Sequence, residues 1–241
     1  MAQQSLIKLL SAVGIGSRRQ LTAIIKRGGV KVNGLVVESY THPVDSQKDT
    51  VTVNDKPVVL DSEKIIYLML HKPKGIVSTT EDERGGTTIL DILPAKYRSF
   101  RLYPVGRLDK DSVGLVLITN DGELTFHLTH PRFQHEKEYL VRIEGILTQE
   151  QRQNLERGIV LSDGRTSPAK IKAVNIPPYN YSITIHEGKK RQVRRMFAVI
   201  GYPVLELKRV RIGSLQLGPL PEGQVRELNQ GEVRALKTKR R

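Results

Sequence analysis

Arg107 and Asp109 stand two residues apart in Val105-Gly106-Arg107-Leu108-Asp109-Lys110-Asp111-Ser112-Val113-Gly114-Leu115, which runs on into an apolar segment and Thr119-Asn120-Asp121-Gly122. In extended chain, residues two apart share a face, so the guanidinium and the carboxylate are expected to point the same way and to pair. A neighbouring cation keeps a carboxylate ionised and fixes its direction; at a strand end such a group can serve as nucleophile or base. Taken alone, an Arg-x-Asp pair is better explained as a salt-bridged turn.

Other stretches carry side chains able to do chemistry. His71-Lys72-Pro73-Lys74-Gly75 follows the apolar run 65–70. Tyr139 sits in the alternating segment EYLVRI, whose pattern by itself describes a packed core tyrosine. In Glu187-Gly188-Lys189-Lys190-Arg191-Gln192-Val193-Arg194-Arg195-Met196, a helix would bury Val193, Met196, Phe197 and Ile200. Lys190, Arg191, Arg194 and Arg195 would then lie opposite as a basic face. His127, His130 and His135 have a zinc-like spacing but no accompanying acid or cysteine, so surface or phosphate-contacting histidines fit better and no metal is expected. Asp109 and Asp111, joined in space by Asp91 or Asp121, would make a magnesium site for phosphodiester cleavage, the main enzymatic alternative.

The chain has 241 residues, 39 Lys and Arg against 25 Asp and Glu, a net charge of +14, and no cysteine. Disulfides and thiolate chemistry are excluded, and the surface should attract polyanions. No apolar run spans a membrane and MAQQSLIKLL lacks a secretory core, so a cytoplasmic protein without membrane partners is expected.

The elements expected to position these groups fall into two parts. Leu6, Ile7, Leu10 and Val13 share one helical face; Ser17 caps a second helix to Arg27, with Gly28 as its stop. VKVNGLVV and VTVNDKPVV read as hairpins. They close a module at residues 1–60, with a linker at 61–64. Strands follow at 65–70, 114–119, 138–143, 181–185 and 204–212. Helices are predicted at 122–129, at 149–157 with a Thr148–Gln151 capping box, at 190–200, and from Asn229. The pattern is α+β, with a second domain at 65–236 and a basic tail at 237–241.

Two resemblances bear on function. Helix, G-x-G-S-R-R, helix, G-G-V-K-V-N-G is similar to the small RNA-binding domain of a ribosomal small-subunit protein, which grips structured RNA through basic helices. That likeness implies Arg18, Arg19, Lys26, Arg27 and Lys31 for RNA contact. The string G-R-L-D-x-x-S-x-G-L, an apolar strand and T-N-D-G resembles the catalytic signature of bacterial ribosomal RNA pseudouridine synthases. The stretches at 71–75, 137–139 and 187–196 match further landmarks of that family in order; His71 departs from its usual Asn.

The resemblance implies a cofactor-free isomerase acting as a monomer on ribosomal RNA, with a sheet that is mixed and mainly antiparallel. It makes Asp109 the essential residue, places Tyr139 against the target uracil, and gives Asp109 a basic partner, either Lys189 or Arg191, beside Arg107. Lys72, Lys74, Arg194 and Arg195 are then expected to meet the RNA backbone. A noncatalytic ribosome-assembly factor is the remaining alternative.

Overall fold

A computed structural model of the chain describes residues 3–60 and 64–238. The chain divides into two compact units, one of residues 1–65 with Ser99–Arg101, the other of Ile66–Arg98 and Leu102–Arg241. Most of the expected linker, residues 61–63, lies outside the described residues.

In the first unit, helices α1 (Leu6–Ala12) and α2 (Arg18–Lys26) precede strands β1 (Val30–Val32), β2 (Leu35–Val36), β3 (Val51–Val53) and β4 (Lys56–Val58). The strands pair antiparallel in the order β2-β1-β3-β4. Ser17 caps α2 in a complete capping box with Gln20, satisfying amides that the helix start leaves without partners. Asn33-Gly34 turns the first hairpin with both residues at positive φ, the conformation a two-residue hairpin turn requires. Leu6, Leu10, Leu21, Ile25 and Val30 are fully buried in the core of this unit.

The second unit is built on a mixed sheet. Its strands are β5 (Tyr67–Lys72), β6 (Tyr103–Val105), β7 (Val113–Thr119), β8 (Lys137–Arg142), β9 (Lys170–Ile176), β10 (Tyr179–Ile185), β11 (Glu206–Ile212), β12 (Leu215–Gln216) and β13 (Val225–Glu227). Among the described residues the order is β9-β10-β8-β11-β7-β5-β13, with β6 on β7 and β12 on β11. Of the strand pairs among the described residues, only β11 and β7 run parallel. Helices α3 (Gly122–Thr129) and α6 (Gln230–Lys237) cover one face, closing a core of Met69, Leu115, Leu117, Leu124, Leu128 and Leu236. Helices α4 (Gln149–Arg157) and α5 (Gln192–Val199) complete the unit.

The expected α+β class and the mainly antiparallel sheet are found, and Thr148 and Gln151 form their capping box. Most strand boundaries shift by one or two residues, and three differences bear on the site or on the docking of the last helix. The strand expected at 65–70 lies at 67–72, because pairing with β7 continues to Lys72 opposite Gly114 and Pro73 then ends the ladder. Helix α5 starts at Gln192, leaving Lys190 and Arg191 before it, with Arg191 itself left-handed at φ 50°. Lys237 belongs to α6, not to a tail; residues 239–241 lie outside the described residues.

Asp121 shows why that last helix docks. Its carboxylate accepts from the amides of Glu123 and Leu124 at the start of α3, from the Tyr67 hydroxyl at 2.7 Å, and pairs with Lys237 at 2.9 Å. Burial opposes its ionisation, but the Leu124 amide, Tyr67 and Lys237 outweigh burial and hold the carboxyl below its usual range. Asp121→Ala is therefore expected to cost about 2–4 kcal/mol, the sum of a lost cap and of the bonds lost by the half-buried Tyr67 hydroxyl and by Lys237. Because the folded-state value is depressed, this stabilisation is present above the ordinary carboxyl range and disappears as acid protonates the group. The gap between wild type and variant in chemical denaturation should thus narrow below about pH 4.

Candidate active site

Residues 106–112 form a loop between β6 and β7, and its backbone is held from several sides. Leu108 is gripped by Ser78, whose Oγ donates to the Leu108 carbonyl at 3.0 Å and accepts from its amide. Arg209, on β11, donates through Nη1 to the Arg107 carbonyl and through Nε to that of Leu115. Lys72 Nζ donates to the carbonyls of Ser112 at 2.8 Å and Pro73 at 2.9 Å, with that of Lys110 at 3.5 Å. Arg194 donates to the Asp111 carbonyl at 3.1 Å. Gly114 permits the approach behind the loop, since a Cβ there would overlap the Arg209 carbonyl and Gly114 has φ +112°.

So anchored, the loop presents Asp109 to a cleft of about 580 Å³ that Tyr139, Lys137, Arg191 and Arg209 also line. Tyr139 and Lys137 share one face of β8, and a bulge in the β8–β11 pairing shifts the register between Glu138 and Tyr139. Burial, with the Arg209 guanidinium nearby, pushes the Lys137 ammonium down to about 8. Two acids line the cleft. Glu187 is engaged by the Ser167 amide and hydroxyl and by Gln192, whereas Asp109 has one cation within 4 Å among the described residues, Arg191 Nη1 at 3.9 Å. Arg191 is shared, its guanidinium lying bidentate on Asp111 at 2.9 and 3.0 Å. The two carboxylates, Asp111 foremost, raise the Arg191 pKa.

A family model described as RNA pseudouridylate synthase matches residues 66–199, and one described as S4 domain matches residues 4–55. The chain belongs to the RNA pseudouridylate synthase family. It is 40% identical to a ribosomal large subunit pseudouridine synthase B of Bacillus subtilis, over 97% of this chain and 96% of that one. It is 39% identical to an uncharacterised RNA pseudouridine synthase of Aquifex aeolicus, over 98% and 94% of the two chains. A crystal structure of a pseudouridylate synthase superposes with a TM-score of 0.69 at 33% identity, covering 97% of this chain and 99% of the other. The protein is thus an isomerase that converts uridine to pseudouridine in RNA, with an S4 domain in its N-terminal part.

Several expectations about individual residues of this synthase need correction. Arg107 does not pair with Asp109: its side chain is exposed and, among the described residues, only its carbonyl is engaged, because residues 107–109 lie in a loop where the two-residue alternation of a strand does not hold. Lys189 is drawn away, donating to the carbonyls of Asp163, Gly164 and Arg165, so Arg191 is the nearer cation to Asp109. Lys72 is fully buried and cannot meet an RNA backbone; Lys74 is exposed and can. Arg194 is largely covered, and Arg195 pairs with Asp163 at 2.6 Å, so α5 presents no free basic face there. Arg18, Arg19, Lys26 and Arg27 are exposed on the first unit, and Lys31 pairs with Asp55 at 2.7 Å.

Asp91 accepts from Thr88 and Asp121 caps α3, so neither joins Asp109 and Asp111 as the magnesium alternative required. Among the described residues no group of three or more acids, histidines or cysteines gathers to hold a metal. Ser78 and Arg209 escaped the sequence reading, while Asp111 entered it only as a metal ligand and Lys137 only as part of the 137–139 landmark. Arg209 had left a signal, a charge in the buried phase of the alternating strand Glu206–Ile212, next to Leu207.

Proposed function

We propose that this enzyme isomerises a specific uridine of ribosomal RNA, flipped from its stack into the cleft, with Asp109 as the catalytic residue. The observation that carries the reading is the Asp109 carboxylate. It is projected into the cleft by a loop whose backbone groups are otherwise engaged, with Tyr139 alongside. Residues 1–60 grip structured RNA through Arg18, Arg19, Lys26, Arg27 and Lys31, and residues 65–236 carry the chemistry. The large-subunit RNA is the favoured substrate, on the strength of the 40% identical relative named for that subunit.

The reaction breaks the C1′–N1 bond, turns the uracil and forms a C1′–C5 bond; N1 gains a proton and C5 loses one, so nothing is oxidised or reduced. The Asp109 carboxylate acts by covalent attack or by abstracting a ribose proton. Tyr139 packs on the base, and its hydroxyl helps remove the C5 proton. Arg191, within 4 Å of both Asp109 and Asp111, steadies the carboxylate. Lys74 and Arg107 meet phosphates at the rim. Extruding the nucleotide costs a few kcal/mol, which RNA contacts to both basic parts offset.

The test is tritium release from deproteinised ribosomal RNA labelled at uridine C5, with EDTA present and the two subunit RNAs assayed separately. Release from large-subunit RNA by wild type and its loss in Asp109→Asn support the proposal. Release that survives in Asp109→Asn would falsify the role of Asp109. EDTA-sensitive strand cleavage without release would favour a nuclease.

A further inference from the structure

Beside the cleft, the end of α3 and the turn after it form a surface that the reaction does not use. Phe126 is 46% exposed on α3. Its ring lies 4.7 Å from that of His130 and 5.9 Å, edge-on, from that of Phe133. The Arg132 guanidinium sits over both phenylalanines, 4.9 Å from the Phe126 centroid and 4.5 Å from the Phe133 centroid. Arg132 is exposed and is paired with no acid among the described residues. Thr129 and Pro131, between these rings in sequence, line the mouth of the cleft itself.

We propose that Phe126, Arg132 and Phe133 form a stacking platform for an unpaired nucleotide of the RNA beside the target uridine. The proposal rests on the reading of the cleft as the uridine site. Three observations favour RNA as the occupant. The surface is continuous with that cleft; it combines a planar cation with an exposed Phe126 ring and a half-buried Phe133 ring, the pairing on which unstacked bases settle; and the uncompensated guanidinium suits a phosphate. Extruding one uridine from a fold breaks the stack of its neighbours, and a platform at the rim gives one of those bases a new partner. The base packs against Phe126 and Arg132, while the guanidinium N–H groups donate to its phosphate.

Phe126→Ala is expected to raise KM for tritium release from ribosomal RNA about tenfold, with a smaller effect on kcat, and Phe126→Tyr to restore it. Arg132→Gln should also raise KM and should reduce the salt dependence of RNA binding by roughly one phosphate contact. Because Phe126 faces outward while Leu124 and Leu128 hold α3, the variants should melt like wild type. Wild-type release with an unchanged KM in Phe126→Ala overturns the platform and leaves the isomerase reading standing. If wild type releases no tritium, the reading of deproteinised ribosomal RNA as the substrate fails. Filter binding of the same RNA then decides the platform: weaker binding by both variants upholds it, and equal binding overturns it in favour of a protein partner at this surface.

Discussion

Asp109→Asn is expected to lower the rate of pseudouridine formation by at least about a thousandfold while leaving the fold intact. The carboxamide matches the carboxylate in shape but is neither a nucleophile nor a base, so both candidate routes lose their reacting group. Structure should be spared because Asp109 contributes little to it. The side chain is 32% exposed and its one ion pair is a loose 3.9 Å contact with an arginine that has a closer partner in Asp111. Surface pairs of this kind contribute about 0–1 kcal/mol, so the melting temperature should move by no more than a few degrees. RNA affinity should hold or rise, since a negative charge is removed from a cleft that meets phosphates. A variant with more than a tenth of wild-type kcat, or one that fails to bind RNA, would contradict this account.

What the sequence disclosed about this site follows from how local each signal is. Asp109 was legible because the residues that define its loop are contiguous. The helix starts at Arg18 and Gln149 were legible because Ser17, and Thr148 with Gln151, state a cap within three residues. The clamps on the loop were not. Ser78 reaches Leu108 across 30 positions, Lys72 reaches Ser112 across 40 and Arg209 reaches Arg107 across 102. No periodicity encodes such pairings; they exist only once β5, β7 and β11 lie side by side. The same limit explains the basic residues after Gly188. Their charge was visible, but whether each faces solvent depends on the hairpin 160–165, which engages Lys189 and Arg195. Strand β9, an edge in which Ile171 alone is buried, gave too weak an alternation to be found.

Lys72 separates a charge that touches RNA from one that builds the site, and Lys72→Met tests which it is. A lysine on a phosphate would, when removed, weaken binding and reduce the salt slope by about one. Lys72 instead has its ammonium fully buried among the carbonyls of Pro73, Lys110 and Ser112. Its loss leaves the Ser112 and Pro73 carbonyls without that donor and frees the loop that aims Asp109. A displacement of the order of 1 Å at a reacting group can cost about a hundredfold. The expected result is therefore a kcat lower by about a hundredfold, with RNA affinity and its salt dependence little changed. Stability gives an independent reading. Burial pushes the Lys72 ammonium down to about 8 from 10.5, although the Asp111, Asp109 and Glu222 carboxylates pull it back up. Between those values the unfolded chain binds the proton and the folded one has released it, so stability due to this group rises with pH across that window. Unfolding free energy measured at pH 7.5 and 9.5 should increase for wild type relative to Lys72→Met, by about 1–2 kcal/mol. A salt slope that falls together with an unchanged kcat would return Lys72 to the RNA surface.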